Sequence, residues 1–145
     1  MDNFLIVWLC GTSIVWPTWL WFSIRSRQKI GEPLNPKPLA GTEFCERSAS
    51  GNARGKIFGK AHNCLMVSVT RTELWITPRF PFNLIAPYGF MGLEYRVPKN
   101  QVVRAEMRKR FLGSTVEIEI SSPKGTKILS LKLRQPEAFL EALAR

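Results

Sequence analysis

The feature that most constrains this chain is an unbroken run of uncharged residues near its N-terminus, FLIVWLCGTSIVWPTWLWFSI at positions 4–24. As a helix rising about 1.5 Å per residue, such a run is about 30 Å long, which matches the hydrocarbon core of a bilayer. Tryptophans crowd its C-terminal half, where an interfacial aromatic belt lies in membrane proteins. The run therefore predicts a single transmembrane helix with the membrane-span residues Phe4, Trp8, Trp16, Trp19, Trp21 and Ile24.

Three other structures can produce a run of this kind. A cleaved signal peptide needs a basic N-terminal region and a small-x-small cleavage site, whereas this chain begins Met1-Asp2-Asn3 and has no Ala-x-Ala. A buried helix of a soluble protein would show a polar face, and this run has no charged position. A helix that lies in the membrane interface remains an open alternative.

The charges that flank the run predict an orientation. Arg25, Arg27 and Lys29 follow it directly, and no cation precedes it. The positive-inside rule then places the C-terminal domain in the cytoplasm and the short N-terminus outside. The same three cations are candidates for contact with anionic headgroups. A cytoplasmic location agrees with reduced thiols at Cys45 and Cys64.

The chain as a whole is strongly basic, with 21 Lys and Arg against 11 Asp and Glu, a formal charge of +10. A domain this basic attracts anionic surfaces such as lipid headgroups, nucleic acid or an acidic protein, although a merely solubilising charge is also possible. One histidine and three cysteines without a Cys-x-x-Cys motif predict no metal and no cofactor. No nucleophile elbow, zinc-protease motif or phosphate-binding loop is present, so we expect no enzyme.

The chain divides into an anchor with a basic flank over residues 1–29, a proline-rich linker over 30–41 and a domain over 42–145. Alternating apolar residues predict strands at 62–70, 73–77, 101–110, 115–120 and 127–133. Shorter strands are predicted at 42–47 and 93–97, and residues 48–60, rich in Gly and Ser, are predicted as a loop. Pro136 at the first position of PEAFLEALA predicts a closing helix over 136–144.

Seven strands followed by one amphipathic helix resemble the pleckstrin-homology-like superfold, in particular its small membrane-tethered bacterial domains. The resemblance rests on CLMVSVTRTELWI at 64–76, on the strand pattern of 95–120 and on PEAFLEAL at 136–143. It implies two near-orthogonal antiparallel sheets closed by the C-terminal helix. It also implies a binding module and not an enzyme.

Residues 80–93, FPFNLIAPYGFMGL, form a long uncharged segment that two prolines and two glycines keep from forming a regular helix. It is too short to cross a bilayer. One interpretation is a loop that dips into headgroups or binds a protein, because contiguous exposed apolar patches mark such sites. The other is a connection folded into the core. The candidate interface residues are Phe82, Leu84, Ile85, Tyr88, Phe90 and Met91.

The densest cluster of cations in the domain comprises Arg104, Arg108, Lys109 and Arg110. The three arginines share strand parity and are therefore expected on one face of a strand. Together with the cations at 25, 27 and 29 they predict a surface that binds anions. The alternative is an ordinary solvated outer face of the sheet.

These observations predict a membrane-anchored binding or scaffolding module that faces the cytoplasm and contacts a partner protein or an anionic lipid surface. The alternatives are an accessory subunit of a larger membrane complex, assembled through the N-terminal helix, and a basic nucleic-acid-binding domain. The expected partners are the lipid bilayer and an unidentified protein, with no nucleic acid and no small-molecule substrate.

Overall fold

Helices at both ends of the chain flank a run of strands. The computed structural model describes residues 2–31, 33, 35–54, 60–85, 92–110, 113–123 and 125–145, and it describes side chains from residue 14 onward, except those of 30, 85, 110 and 113. In chain order the elements are α1 (Asp2–Ile30), β1 (Thr42–Ala53), β2 (Lys60–Thr70), β3 (Glu73–Pro78), α2 (Phe82–Ile85), β4 (Tyr95–Pro98), a 3-10 turn (Lys99–Gln101), β5 (Val102–Arg110), β6 (Gly113–Ile120), β7 (Lys127–Lys132) and α3 (Pro136–Ala144).

The strands form one antiparallel sheet in the order β4-β3-β2-β1-β7-β6-β5. The long strand β1 joins its two halves, because Gly51 pairs with Ala61 of β2 on one side and with Leu131 of β7 on the other. The prediction of two separate sheets is therefore corrected to a single continuous one. The mainly-β class and the helices at both ends are confirmed.

Alternation of apolar and polar residues determines which face of the sheet is buried. In β6 the side chains of Val116, Ile118 and Ile120 are buried, while the intervening Glu117 and Glu119 remain partly exposed. A strand with this period places its apolar set on one face. The core is therefore assembled on one side of the sheet, and polar residues occupy the other.

The sheet curls around α3. This helix contacts β1 and β2 as well as β5 and β6. In a flat sheet, β2 and β5 would lie four strand spacings or about 19 Å apart, which exceeds the roughly 10 Å width of a helix. Phe139 of α3 is fully buried, and its ring meets that of Phe44 edge to face at 5.5 Å. Lys99 Nζ donates to the carbonyl oxygen of Ala142 at 2.6 Å and fastens the end of α3.

The first strand is longer than the sequence pattern indicated. It continues to Ala53, through residues predicted as loop, and β2 begins at Lys60. The strand persists because Ala49, Gly51 and Ala53 are buried in the core despite their small size. Residues 55–59 of the predicted loop lie outside the described residues.

The prediction of a membrane span over residues 4–24 is not supported. Among the described residues, no helix is both long and apolar enough to cross a membrane. The side chains of Phe4 and Trp8 lie outside the described part.

Candidate functional site

The described part of α1 presents large apolar side chains to solvent. Between positions 14 and 22, every residue except Pro17 and Thr18 is a large apolar residue that is 42–67% exposed. These residues are Ile14, Val15, Trp16, Trp19, Leu20, Trp21 and Phe22. At 100° per residue they point to all sides of the helix, so no single polar face is left for water. We call this stretch the apolar collar.

Beyond the collar, α1 docks on the β domain through a buried ion pair. Arg27 Nη2 donates to Glu94 Oε1 at 2.5 Å, with the two side chains only 1% and 5% exposed. Arg27 Nε also donates to the backbone carbonyl of Asn83 at 2.8 Å. Ser23, one turn earlier on the same face, is buried as well. The predicted headgroup contact of Arg27 is therefore wrong, because this guanidinium lies inside the protein.

The other two flanking cations do lie at the surface. Arg25 and Lys29 are exposed, and the Arg25 guanidinium sits 5.0 Å from the centroid of the Trp21 ring. With Ile24 and Gln28 they line a shallow depression of about 530 Å³. Aromatic and cationic side chains thus meet at the end of the collar, as they do in interfacial belts of membrane proteins.

The apolar segment 80–93 divides between surface and core. Phe80 is 51% and Phe82 39% exposed, and the Arg79 guanidinium lies 5.8 Å from the Phe82 ring centroid. Leu84 is half-buried, and Leu93 is fully buried in the core. Tyr88, Phe90, Met91 and the side chain of Ile85 lie outside the described residues. Since α1 contacts α2, the exposed start of this segment lies beside the docked end of α1.

The basic cluster on β5 is balanced by carboxylates. Arg104 pairs with Glu106 at 2.6 Å, and Arg108 pairs with Glu117 of β6 at 2.7 Å. These four residues line a small depression together with Arg54, Glu119 and Ile128. The side chain of Arg110 lies outside the described residues. Arg104 and Arg108 are engaged by acids, so this face is a weaker candidate for anion binding than the sequence indicated.

A third recess, which the sequence pattern did not reveal, lies on the outer face of β1, β2 and β7. We call it the polar groove. It has a volume of about 610 Å³, within the range of small-molecule sites. Its lining comprises Glu46, Ser48, Ser50, Gly51, Asn52, Lys60, Ala61, His62, Asn63, Thr115, Ser130, Lys132, Leu133 and Arg134. Short side chains form its floor and long ones its rim, which explains why the face is concave.

A bulge in β2 shapes the groove. Ala49 pairs with Leu65 and Gly51 with Ala61, so three residues of β2 stand opposite Ser50 alone. Asn63 adopts a left-handed backbone with φ of 52°, and its N–H donates to Ser50 Oγ at 2.9 Å. Bulges and left-handed residues of this kind concentrate next to functional sites because they redirect side chains. Here the bulge carries the chain's one histidine, His62, into the groove lining.

The charges of the groove are mainly positive. Lys60, Lys132 and Arg134 face a single acid, Glu46. Both carboxylate oxygens of Glu46 accept from the backbone N–H of Arg134 at 3.0 Å, so the acid is already engaged by the protein. Three cations with neighbouring hydroxyl and amide groups favour an anionic ligand.

The two described cysteines are free thiols, Cys45 exposed and Cys64 buried. Burial raises the pKa of Cys64 above its ordinary value, although hydrogen bonding to the backbone of His62 and the charge of Arg79 partly oppose the rise. Burial likewise raises the pKa of Tyr95. Within the described residues, no group of three or more His, Cys, Asp or Glu side chains is arranged to hold a metal ion.

Comparison with known proteins gives a fold but no family. No protein-family model matches the sequence, and no curated protein matches it. Among solved structures, a chain of "The 8S snRNP Assembly Intermediate" resembles this protein with a TM-score of 0.52 and 10% sequence identity. The match covers 77% of this chain and 86% of the other. At such low identity the likeness describes the shared fold alone.

Proposed function

We propose that this chain is a membrane-associated binding module, in which the apolar collar of α1 embeds in lipid and holds the β domain at the membrane surface. The observation that carries the proposal is the collar itself, seven large apolar side chains that the described residues leave exposed within nine positions. Contiguous exposed apolar surface of this kind is rare on proteins that work alone in water. Lipid acyl chains at a membrane surface can cover apolar side chains of this kind.

The free energy available to the collar is substantial. Burying a large apolar side chain contributes about 1.5–3 kcal/mol. Since the collar residues are about half exposed, each has roughly 1 kcal/mol still to gain, and the seven together have on the order of 5–10 kcal/mol. Even after the entropy lost on association, this suffices for stable partition into a bilayer.

The charges around the collar support an anionic, cytoplasmic leaflet as the site of attachment. Arg25 and Lys29 follow the collar on the surface, and the chain carries a formal charge of +10. Each cation near an anionic membrane surface contributes about 1 kcal/mol. Phe80 and Phe82, beside the docked end of α1, supply further apolar contact.

The proposed module is of the pleckstrin-homology-like type. Two features support this finer assignment, namely the curl of the sheet around α3 and the order of seven strands followed by one helix. Folds of this type serve as binding platforms, so the β domain would display a partner-binding surface at the membrane. An accessory subunit of a membrane complex, attached through the same collar, is the competing role.

The test compares two matched substitutions in the full-length chain. Val15→Ser removes a collar residue that is 63% exposed, and Val103→Ser removes the same residue type at 64% exposure on β5. The protein is mixed with phosphatidylcholine vesicles, with or without phosphatidylglycerol, and floated at low and high salt. We expect Val15→Ser to weaken partition about fivefold, the equivalent of roughly 1 kcal/mol, and Val103→Ser to leave it unchanged.

Tryptophan fluorescence provides a second readout. Brominated phosphatidylcholine quenches indoles in contact with acyl chains, so the collar tryptophans should be quenched while Trp75, buried in β3, is not. A variant with Trp8→Phe, Trp16→Phe, Trp19→Phe and Trp21→Phe leaves Trp75 as the one tryptophan of the chain and reports on the buried indole alone. Attachment through the collar would be refuted if the native chain floated with none of the vesicles, or if the two valine substitutions weakened partition equally.

A further inference from the structure

We infer that the polar groove binds a small molecule bearing a phosphate monoester. This site is separate from the collar and does not depend on membrane attachment. Its three cations come from two distant parts of the chain, Lys60 from the start of β2 and Lys132 and Arg134 from the end of β7 and just beyond it, and only the fold brings them together. Their one acidic neighbour, Glu46, is held by the backbone N–H of Arg134.

The strand register sets the spacing of the cations. Asn52 pairs with Lys60 of β2 and with Ser130 of β7, and Ser50 pairs with Lys132 of β7. Lys60 and Lys132 therefore stand diagonally across β1, two strand spacings apart and two residues offset along the strand. Their Cβ atoms are then about 12 Å apart. Flexible lysine stems can close this gap around one anion of phosphate size.

The floor between the lysines supplies hydrogen-bond donors. Ser50, Asn52 and Ser130 lie on the same outer face. The Ser50 hydroxyl already donates to Asn63 Oδ1 at 3.2 Å, so the hydroxyl of Ser130 and the side-chain amide of Asn52 are the donors for a ligand. A phosphate monoester offers three strong acceptor oxygens and nearly two negative charges. It can therefore engage both lysines and a floor hydroxyl at once, whereas a carboxylate with two oxygens and one charge leaves cations unmatched.

The bulge in β2 shapes the site. It places His62 and Asn63 in the groove lining, and Asn63 holds a left-handed backbone that a non-glycine residue adopts at some energetic expense. The Asn63 N–H fixes Ser50 Oγ on the floor at 2.9 Å. Backbone strain that orders a polar floor is typical of a preorganised binding site.

The experiment uses the full chain, labelled with ¹⁵N, in phosphatidylcholine nanodiscs. Glycerol 3-phosphate is titrated while backbone amide shifts are followed. We expect saturable shifts at Ser50, Asn52, Ser130 and Lys132. The dissociation constant for glycerol 3-phosphate should rise at least tenfold in Lys132→Gln and return to the native value in Lys132→Arg. Lys37→Gln, an exposed lysine of the linker, is the matched control and should leave binding unchanged.

Two sources of the phosphate group are distinguished by a second sample, in which phosphatidic acid replaces part of the lipid. Groove shifts with soluble glycerol 3-phosphate indicate a soluble ligand, and groove shifts only with phosphatidic acid indicate a lipid headgroup; either supports the site. Shifts that do not saturate, equal losses in Lys132→Gln and Lys37→Gln, or groove shifts with poly-glutamate alone would overturn the inference.

Discussion

The buried ion pair between α1 and the β domain predicts a large effect of one substitution. Arg27→Met removes the guanidinium that bonds Glu94 Oε1 and the carbonyl of Asn83. Glu94, only 5% exposed, is then left as a buried charge without this partner. Loss of one member of such a pair typically costs about 3–5 kcal/mol. We therefore expect α1 to undock from the domain while the sheet stays folded.

Hydrogen exchange measures this undocking locally. The amide of Asn83 donates to the carbonyl of Arg79, and that of Leu84 donates to Pro81, so both report on α2 beneath the docked helix. At 1.4 kcal/mol per tenfold, their exchange should accelerate by roughly two to three and a half orders of magnitude. Amides of β6 should change little.

Two further variants decide whether the reasoning holds. Arg27→Met with Glu94→Leu removes both charges, and we expect it to recover most of the protection, because apolar replacement of a buried pair is often neutral. Arg145→Met removes the exposed pair with Glu141 and should have no measurable effect. The ion pair does not hold α1 if the amides of Asn83 and Leu84 exchange as fast in the double variant as in Arg27→Met. The same conclusion follows if Arg145→Met accelerates their exchange as much as Arg27→Met does.

Two predictions concern the sheet. Gly51→Ala places a Cβ 2.6 Å from Leu65 Cδ1 and 3.1 Å from Leu131 Cδ2. It should lower the free energy of unfolding, measured with denaturant, by about 1–3 kcal/mol, and a denaturant curve equal to that of the native chain would contradict this. Burial raises the pKa of the Cys64 thiol above its ordinary 9.0, so the unfolded chain loses this proton at a lower pH than the folded chain. The free energy of unfolding should therefore fall as pH rises above 9, and Cys64→Ala should flatten that fall. Iodoacetamide should modify exposed Cys45 well before buried Cys64.

The elements that could be predicted best are those whose formation depends on a few neighbouring residues. Alternation in β6 and β7 and Pro136 at the start of α3 predicted those elements closely, because period and capping act within a few residues. Residues 48–53 were misread as loop, since Ser, Gly and Asn are typical of loops. In the fold these small residues are required, because Gly51 lies against Leu65 and Leu131.

The site residues were harder to predict, because their surroundings come from distant parts of the chain. Arg25, Arg27 and Lys29 look equivalent in the sequence, and only the approach of Glu94 buries the middle one. Arg104 and Arg108 formed a basic cluster in the sequence, but the register of β5 and β6 brings carboxylates beside them. The polar groove draws on four separate segments, and no single stretch carries a motif for it.

The long strand β1 has a consequence for the order in which the chain folds during synthesis. Strands β1 to β4 pair with neighbours in sequence, as do β5 to β7, and only the pairing of β1 with β7 joins residues about 80 positions apart. A ribosome therefore releases the first four strands well before β7 and α3 exist. Until then Leu65, Val67 and Phe44 have no cover from Phe139. The nascent chain is thus most prone to aggregate just before β7 and α3 emerge.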